Sequence, residues 1–198
     1  MKTDIILAGV GGQGILSIAA TIGMAALENN LHLKQAEVHG MSQRGGAVQS
    51  HLRISDKEIA SDLIPLGKAD LIISVEPMES LRYLSYLSET GWLVTNTTPF
   101  ANISNYPEIS ELIKEIESVP HHIAINADEI ARNVKSPRSS NMVMLGAASP
   151  FLDISYESLE NGIKKIFGKK GDKIVELNVD AFNAGKDFAL KHTPVSSN

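Results

Sequence analysis

The chain contains no cysteine. It therefore cannot form disulfide bonds, and it lacks the thiolate ligands that iron–sulfur clusters and most structural zinc sites require. If the protein takes part in electron transfer, the clusters that carry the electrons must lie on a partner chain.

An excess of positive charge and a long apolar run are also missing. The formal net charge is −5, with basic residues scattered along the chain, so no basic surface predicts binding to nucleic acid or to an anionic membrane. The N-terminal sequence MKTDIILAGVGG has neither the pattern of a signal peptide nor the roughly 20 apolar residues of a membrane span. We therefore expect a cytoplasmic protein with no nucleic acid and no membrane among its partners.

The hydrophobic pattern predicts an α/β protein. The 198 residues, of which 43% are hydrophobic, can bury a core and favour one domain over residues 1–198. Strand-like runs alternate with helical patterns; these runs are DIILAG, LIISV, GWLVTNT and HIAIN. The alternation predicts a Rossmann-like, doubly wound and mostly parallel sheet.

The last third of the chain, from about residue 139 to 190, is predicted to be helical. SSNMVMLGAASPFL has the small residues of a tightly packed helix, and Ser155 is a plausible N-cap for the next one, which Gly168 could end with a left-handed residue. Asp172 is the expected N-cap of the final helix. Its expected apolar face consists of Ile174, Leu177, Ala181, Ala184 and Phe188. These helices either pack on the sheet or offer a face to a partner.

A glycine turn follows the first strand. GVGGQG places Gly9, Gly11 and Gly14 at the G-x-G-x-x-G spacing, with Gly12 and Gln13 between them, before the helical run ILSIAATIGMAALENN. In such a turn the first glycine permits the bend, the second lets a ligand approach the backbone, and the third allows tight helix–strand packing. The N–H groups of the first helical turn then form an anion site.

Four interpretations of this turn remain open. A nucleotide-hydrolysing P-loop is excluded, because Ile15 and Leu16 stand where lysine and serine or threonine are required. A dinucleotide site needs an acidic residue at the end of the second strand, and Glu37 is the nearby candidate. An anionic ligand or a partner's backbone could occupy the turn, or the glycines could serve packing alone.

A second glycine-containing loop lies in AEVHGMSQRGGAVQSHLRIS, from residue 36. Arg44 presents a planar set of donors suited to a carboxylate, a phosphate or a carbonyl array, and Gly45 and Gly46 allow close approach of the main chain. If the first two strands are neighbours, both loops emerge at the carboxyl end of the sheet. We therefore expect the two loops to form one site.

Structural roles are the alternatives for the same residues. Arg44 could neutralise Glu37 or cap carbonyl groups within a turn. His39 and His51 could bind a metal together, but no carboxylate or cysteine stands at ligand spacing. A hydrogen-bonded structural imidazole is the favoured interpretation of both histidines, and we predict no metal site.

The two motifs together resemble a known family. GVGGQG followed by EVHGMSQRGG is similar to the beta subunits of indolepyruvate:ferredoxin oxidoreductases, within the gamma-type subunits and domains of 2-oxoacid:ferredoxin oxidoreductases. The resemblance extends from about Asp4 to Leu190. The pyruvate and 2-oxoglutarate enzymes usually have a Tyr-Gly-Pro-Glu-x-Arg-Gly-Gly loop here. This chain keeps Gly40, Arg44, Gly45 and Gly46 but has His39, Met41, Ser42 and Gln43, which is the aryl-pyruvate pattern.

The resemblance implies a non-redox subunit of an enzyme that oxidatively decarboxylates aryl pyruvates to aryl-acetyl-CoA and reduces ferredoxin. Thiamine diphosphate and [4Fe–4S] clusters would lie on a larger alpha subunit, since KKGDKIVELN has Lys173 where a thiamine diphosphate motif has its second glycine. Ferredoxin would interact through the complex. No cofactor is assigned to this chain itself, although coenzyme A is a candidate, and no residue is predicted to be catalytic.

The predicted site combines the two loops. Its residues are Gly9, Gly11, Gly12, Gln13, Gly14, Glu37, His39, Gly40, Ser42, Gln43, Arg44, Gly45 and Gly46. The alternative functions are a gamma subunit of another 2-oxoacid:ferredoxin oxidoreductase, a stand-alone NAD-binding Rossmann module, and a purely structural subunit.

Overall fold

The computed structural model describes residues 1–38, 45–101 and 103–193. In this part of the chain the strands are β1 (Lys2–Val10), β2 (His32–Val38), β3 (Ala47–Ser55), β4 (Ala69–Ser74), β5 (Leu87–Asn96) and β6 (His122–Ile125). The helices are α1 (Ile15–Glu28), α2 (Pro77–Arg82), α3 (Ile109–Glu117), α4 (Ala127–Asn133), α5 (Ser140–Ala148), α6 (Tyr156–Phe167) and α7 (Asp172–His192). The alternation of strands and helices agrees with the sequence prediction.

The strands form one sheet in the order β2-β3-β1-β4-β5-β6. β1, β4, β5 and β6 run parallel, which confirms the predicted mostly parallel α/β sheet. β3 is antiparallel to both β1 and β2 and lies between them, so the condition that the first two strands are neighbours is not met. The short connection from β2 to β3 accounts for the antiparallel pairing of these two strands, because a parallel crossover needs about a dozen residues or more.

Helices cover both faces of the sheet. Alternate residues of β1 point in opposite directions, so that Ile5 and Leu7 belong to one apolar cluster and Ile6 to another. The first cluster packs under α1 and the C-terminal helices, and the second contains residues of α3 and of the loop that precedes β4. Burying each large aliphatic side chain contributes about 1.5–3 kcal/mol, so both layers stabilise the sheet.

The C-terminal helices pack on the sheet. α5 contacts β4, β5 and β6, and α7 contacts α5 along its length. Their backbones meet at two glycines: a Cβ on Gly146 would lie 1.9 Å from the Phe182 carbonyl oxygen, and one on Gly185 would lie 2.0 Å from that of Val143. The small residues predicted in α5 therefore permit a helix crossing that larger side chains would prevent.

Two helix-end predictions were wrong. Gly168 has φ −54 and begins a 3-10 turn, so the positive φ of 96° falls on Gly171 instead. Asp172 is the first residue of α7, and Gly171 takes the N-cap position. The three-residue extension after α6 displaces both boundaries. The N-cap at Ser155 is confirmed, because its side chain accepts a hydrogen bond from the Ser158 N–H at 3.1 Å.

The buried face of α7 also differs from the prediction. Of the expected positions only Ala181 is fully buried, whereas Ile174 is 37% exposed. The buried residues of this helix are Asn178, Ala181, Phe182, Gly185 and Ala189. The close approach at Gly146 and Gly185 fixes the rotation of α7, and this constraint is stronger than the periodicity of its apolar residues.

The sheet topology places the C-terminal ends of most strands at one side of the sheet. β2 and β1 both run opposite to β3, and β1 runs parallel to β4, β5 and β6. All five strands therefore end at one side of the sheet, here called the carboxyl edge. Within the described residues, no helix has the length and apolar character needed to cross a membrane.

Candidate functional site

The glycine turn links β1 to α1 at the carboxyl edge. Gly12 has φ 100° and Gly14 has φ 82°, conformations that favour glycine. Gly14 occupies the N-cap position of α1, so no side chain caps the helix there and no acidic residue stands in its first turn. The N–H groups of this turn and the positive end of the helix dipole are directed towards the carboxyl edge.

The expected roles of the glycines are partly corrected. Gly9 does not make the bend, because it is still part of β1. A Cβ at Gly9 would instead lie 2.4 Å from Cγ2 of Val75, at the end of the neighbouring β4. Gly12 and Gly14 provide the turn, and a Cβ on Gly14 would lie 2.9 Å from the Asn141 amide nitrogen of α5. Gly14 thus combines the turn with tight packing.

Gln13 holds the turn in place. Its Oε1 accepts a hydrogen bond from the Val10 N–H at 2.7 Å, and its Nε2 donates to the Val75 carbonyl at 3.5 Å. The side chain therefore joins the ends of β1 and β4. Gln13, predicted as a binding residue, uses its amide group to fix the backbone that surrounds the site.

The two glycine loops are in direct contact. The Gly11 N–H donates to the Gly46 carbonyl at 2.9 Å, and the Gly45 N–H lies 3.4 Å from the Gly11 carbonyl. These bonds continue the β1–β3 ladder, whose last pair is Val10 with Ala47. For the described residues this confirms that both loops lie at the same edge of the sheet. They meet through β3, however, and not through adjacent parallel strands.

Part of the second loop lies outside the described residues. Among the predicted site residues, His39, Gly40, Ser42, Gln43 and Arg44 lie outside the described residues, as does Met41. Their assignment to the site stays a prediction from the sequence. Gly45, with φ 79°, and Gly46 are described and lie beside the glycine turn.

A cavity of about 340 Å³ opens beside the glycine turn. Its wall combines the backbone of the turn, the first residues of α1 and the polar side chains of β2 and β3. The lining residues are Val10, Gly11, Gly12, Gly14, Ile15, Leu16, Glu37, Val48, Gln49 and Ser50. Leu16 is 51% exposed at the first turn of α1 and forms part of this lining. The volume lies within the range of about 300–1,000 Å³ typical of ligand sites.

Glu37 contributes a carboxylate to this cavity. Gln35 Nε2 donates to Glu37 Oε1 at 2.6 Å and to the buried Ser50 Oγ at 3.1 Å. Gln35 and Glu37 share a face of β2, and Ser50 is the β3 partner of Glu37. The cavity thus offers backbone N–H donors at one end and carboxylate and hydroxyl oxygens at the other.

Gln35 and Ser50 were not identified from the sequence. The i, i+2 spacing of Gln35 and Glu37 in a strand would have placed both on one face. Ser50 could be found only from the register of β2 against β3. The length of the loop between these strands does not define which of their residues pair.

The remaining polar residues of this region have structural contacts on the opposite face. The His51 Nδ1 accepts a hydrogen bond from the Ile64 N–H at 3.0 Å, and burial lowers the pKa of this histidine. Arg53 makes two bonds to the buried Asp4 carboxylate, at 2.8 and 3.0 Å. Among the described residues, no group of three or more metal-ligand side chains converges on one point.

The position of Glu37 is unfavourable for dinucleotide binding. In a dinucleotide-binding unit the strand that carries the acidic residue lies directly beside the first strand. Here β3 lies between β1 and β2, which places the two parallel strands about 10 Å apart. The dinucleotide alternative therefore lacks the strand arrangement on which it depends.

Comparison with known proteins agrees with the fold and with the family resemblance. The family model described as pyruvate ferredoxin/flavodoxin oxidoreductase matches residues 4–188. The chain is 36% identical to indolepyruvate oxidoreductase subunit IorB of Archaeoglobus fulgidus, over 98% of both chains. It is 35% identical to the subunit of the same name from Methanothermobacter thermautotrophicus, over 93% of this chain and 96% of the relative.

Solved structures show the same fold. The 2-oxoglutarate:ferredoxin oxidoreductase from Magnetococcus marinus, with 2-oxoglutarate, coenzyme A and succinyl-CoA bound, matches with a TM-score of 0.77 at 25% identity. The match covers 98% of this chain and 32% of the other. The gamma subunit of a keto/oxoacid ferredoxin oxidoreductase from Geobacter sulfurreducens matches with a TM-score of 0.72 at 25% identity, over 96% and 99% of the two chains.

Fold, glycine motifs and relatives define an oxidoreductase subunit that acts within a larger enzyme complex. The chain belongs to the pyruvate ferredoxin/flavodoxin oxidoreductase family, as a gamma-type subunit of a 2-oxoacid:ferredoxin oxidoreductase.

Proposed function

We propose that this chain is the non-redox subunit of an indolepyruvate:ferredoxin oxidoreductase and that its two glycine loops bind coenzyme A at the carboxyl edge. The assembled enzyme would convert aryl pyruvates to aryl-acetyl-CoA and reduce ferredoxin. Residues 1–198 would act as one domain. The thiamine diphosphate and the [4Fe–4S] clusters would be held by a larger alpha subunit, which agrees with the absence of cysteine in this chain.

The pair of hydrogen bonds between Gly11 and the Gly45–Gly46 segment carries this proposal. It joins two loops that are far apart in sequence into one continuous backbone surface next to a cavity. A packing role for the glycine turn alone would need neither this contact nor an adjoining cavity of about 340 Å³.

The chemistry of the cavity is suited to part of coenzyme A. A pyrophosphate group needs several N–H donors and a positive potential, which the first turn of α1 can supply. Glu37 and Ser50 could accept hydrogen bonds from hydroxyl or amide groups of the same ligand. The solved relative from Magnetococcus marinus contains bound coenzyme A. The cavity is too small for the whole molecule, so the rest would extend over the loop or the partner subunit.

Two observations favour an aryl 2-oxoacid over other substrates. The relatives with 34–36% identity are indolepyruvate oxidoreductase subunits, whereas the 2-oxoglutarate synthase subunit KorC of Methanothermobacter marburgensis is 28% identical. The loop residues His39, Met41, Ser42 and Gln43 also follow the aryl-pyruvate pattern. A gamma subunit of another 2-oxoacid enzyme is the alternative.

The first test is isolation of the native complex with a tagged form of this chain. We expect co-purification of a large cysteine-containing subunit that holds thiamine diphosphate and iron. The complex should reduce ferredoxin faster with indolepyruvate and phenylpyruvate than with pyruvate. A preference for pyruvate or 2-oxoglutarate would reject the aryl assignment, and a chain that purifies alone with bound NAD would reject the subunit assignment.

The second test addresses coenzyme A directly. Titration of the complex with coenzyme A should give heat of binding, and Arg44→Ala should weaken the affinity by about tenfold, as expected for the loss of a charge-assisted hydrogen bond. Arg132→Ala, which removes an exposed arginine from α4, is the matched control. Equal affinities of both variants would contradict the proposed role of the second loop.

A further inference from the structure

A second cleft lies on the other side of the first turn of α1. Leu16 lines the cavity of the glycine turn, whereas the next residue, Ser17, lines this cleft of about 460 Å³. The cleft is bordered by the segment between α4 and α5 and by the segment between α6 and α7. We call it the basic cleft, and it is lined by Lys135, Arg138 and Lys170 together with polar and apolar side chains.

The sign of the charge in the basic cleft is opposite to that of the chain. The protein has a net charge of −5, yet the described lining contains three basic residues and no carboxylate. None of these three side chains forms an ion pair with a described carboxylate. Positive charges that are concentrated in a concave surface and are not neutralised raise the local concentration of anions.

The local backbone brings these cations together. Lys135 has φ 59° and turns the chain at the end of α4. Arg138 follows three residues later, after Pro137, and lines the same cleft. Lys170 lies in the 3-10 turn after α6, with its Nζ 5.3 Å from the centre of the Phe167 ring. Two separate loops therefore contribute positive charge to one cleft.

The other residues of the basic cleft suit an organic ligand. Ser136 and Ser139 bring nearly buried hydroxyl groups to its wall, 2.6 Å from one another, and each oxygen keeps acceptor or donor capacity. Phe167, Ile174 and Leu177 form an apolar part of the lining. A simple anion would need only the charges, whereas the apolar part favours a ligand with an aromatic or aliphatic portion.

We infer that the basic cleft binds the phosphate group of an organic ligand. Arg138 and Lys170 contact the phosphate oxygens, and the remainder of the ligand lies against Phe167 and its apolar neighbours. Lys135 has a smaller part, because it also lines an adjacent cleft that contains Asp180 and Asp187. The inference does not depend on the proposed function, since the phosphate can belong to coenzyme A or to a separate metabolite.

Inorganic pyrophosphate is the probe for this site. In an NMR titration of the isotope-labelled full chain, we expect amide shifts at residues 135–141 and at Lys170. The double variant Arg138→Ala/Lys170→Ala should weaken binding at these positions by at least about tenfold, because two charge-assisted contacts are lost. The control Lys169→Ala/Lys191→Ala removes two exposed lysines outside the cleft and should leave the affinity unchanged.

Two results would overturn the inference: wild-type shifts confined to other parts of the chain, or equal affinities of the double variant and the wild type. Titration with coenzyme A then identifies the source of the phosphate. If the double variant weakens coenzyme A binding as well, the phosphate is that of coenzyme A. In that case the glycine turn must hold a different phosphate group of the same coenzyme A molecule. If the double variant weakens only pyrophosphate binding, the cleft serves a separate phosphorylated ligand, and the glycine-turn proposal is unaffected.

Discussion

Single glycines at the carboxyl edge have different physical requirements, which substitution by alanine can separate. Gly14→Ala should reduce the free energy of unfolding by about 1–3 kcal/mol, because a left-handed residue acquires a Cβ and the Cβ meets Asn141. Gly9→Ala should cost a similar amount without left-handed backbone strain, through overlap with Val75 and tight contacts with Gln13 and Ile15. Urea unfolding followed by circular dichroism measures both.

Gly168→Ala is the matched control for these substitutions. Gly168 has helical backbone angles and open space around its Cβ position, so alanine should be neutral or stabilise by about 0.5–1 kcal/mol. A large loss of stability at Gly168, or none at Gly14, would contradict the described backbone.

His51 makes stability depend on pH. Burial lowers its pKa below the ordinary value of 6.5, with a nearby Asp62 opposing the shift and Arg53 adding to it. A histidine whose pKa is lower in the folded than in the unfolded state binds a proton more readily when unfolded. The contribution of neutral His51 to the free energy of unfolding is complete above about pH 7. It is lost as the pH falls below 6.5 towards the pKa of the folded state.

The test compares the wild type with His51→Asn between pH 5 and 7.5. The asparagine carbonyl can still accept the Ile64 N–H but does not titrate. Burial raises the pKa of Glu79, whose effect therefore opposes that of His51 and is present in both proteins. The difference in unfolding free energy between the two proteins should shrink towards acid pH. A difference in unfolding free energy that stays constant with pH would show that His51 does not cause the pH dependence.

At the residue scale, the sequence predicted the local structure around the glycines better than the role of each glycine. The spacing of Gly9, Gly11 and Gly14 indicated a strand–turn–helix unit, and this unit is present. Which glycine makes the turn depends on neighbours such as Val75 and Asn141, which come from distant parts of the chain. Local sequence carries no information on these contacts.

Among the elements, the crossing of α5 and α7 depends on two glycines. Gly146→Ala and Gly185→Ala each place a Cβ at 1.9–2.0 Å from a carbonyl oxygen, far inside van der Waals contact, so the helices must separate. We expect each variant to lose about 2–4 kcal/mol of unfolding free energy, through overpacking and the cavity that the separation leaves. Thermal and urea unfolding would measure the loss.

Ala184→Ser is a suitable control, because Ala184 lies on α7 next to Gly185 but outside its buried set. It should change stability by less than about 0.5 kcal/mol. If both glycine variants behave like this control, α5 and α7 do not cross as closely as described.

The elements themselves were largely predictable, and their partners were not. The strand-like run at residues 71–75 and the helix after Pro77 follow from local patterns. The antiparallel direction of β3 and the rotation of α7 do not, because each is decided by packing between segments that are remote in sequence. The same limitation concealed Ser50, which joins Glu37 only through the β2–β3 register.

At the scale of the whole molecule, the proposed function requires an anionic ligand at the glycine turn in the assembled enzyme. Leu16 offers a test that preserves the fold, since it is exposed at the first turn of α1 and lines the cavity. Leu16→Glu places a negative charge where a helix N-terminus favours one, so stability should be kept or slightly raised. The same charge should repel the phosphate groups of coenzyme A.

The decisive measurement is the affinity of coenzyme A for complexes that contain wild-type, Leu16→Glu or Leu16→Gln chains. The neutral glutamine removes the apolar side chain without adding charge, so it controls for lost packing. We expect at least about tenfold weaker binding with glutamate than with glutamine, which corresponds to about 1.4 kcal/mol, with no loss of thermal stability. Equal affinities for all three complexes, or heat of binding from none, would contradict the proposed function.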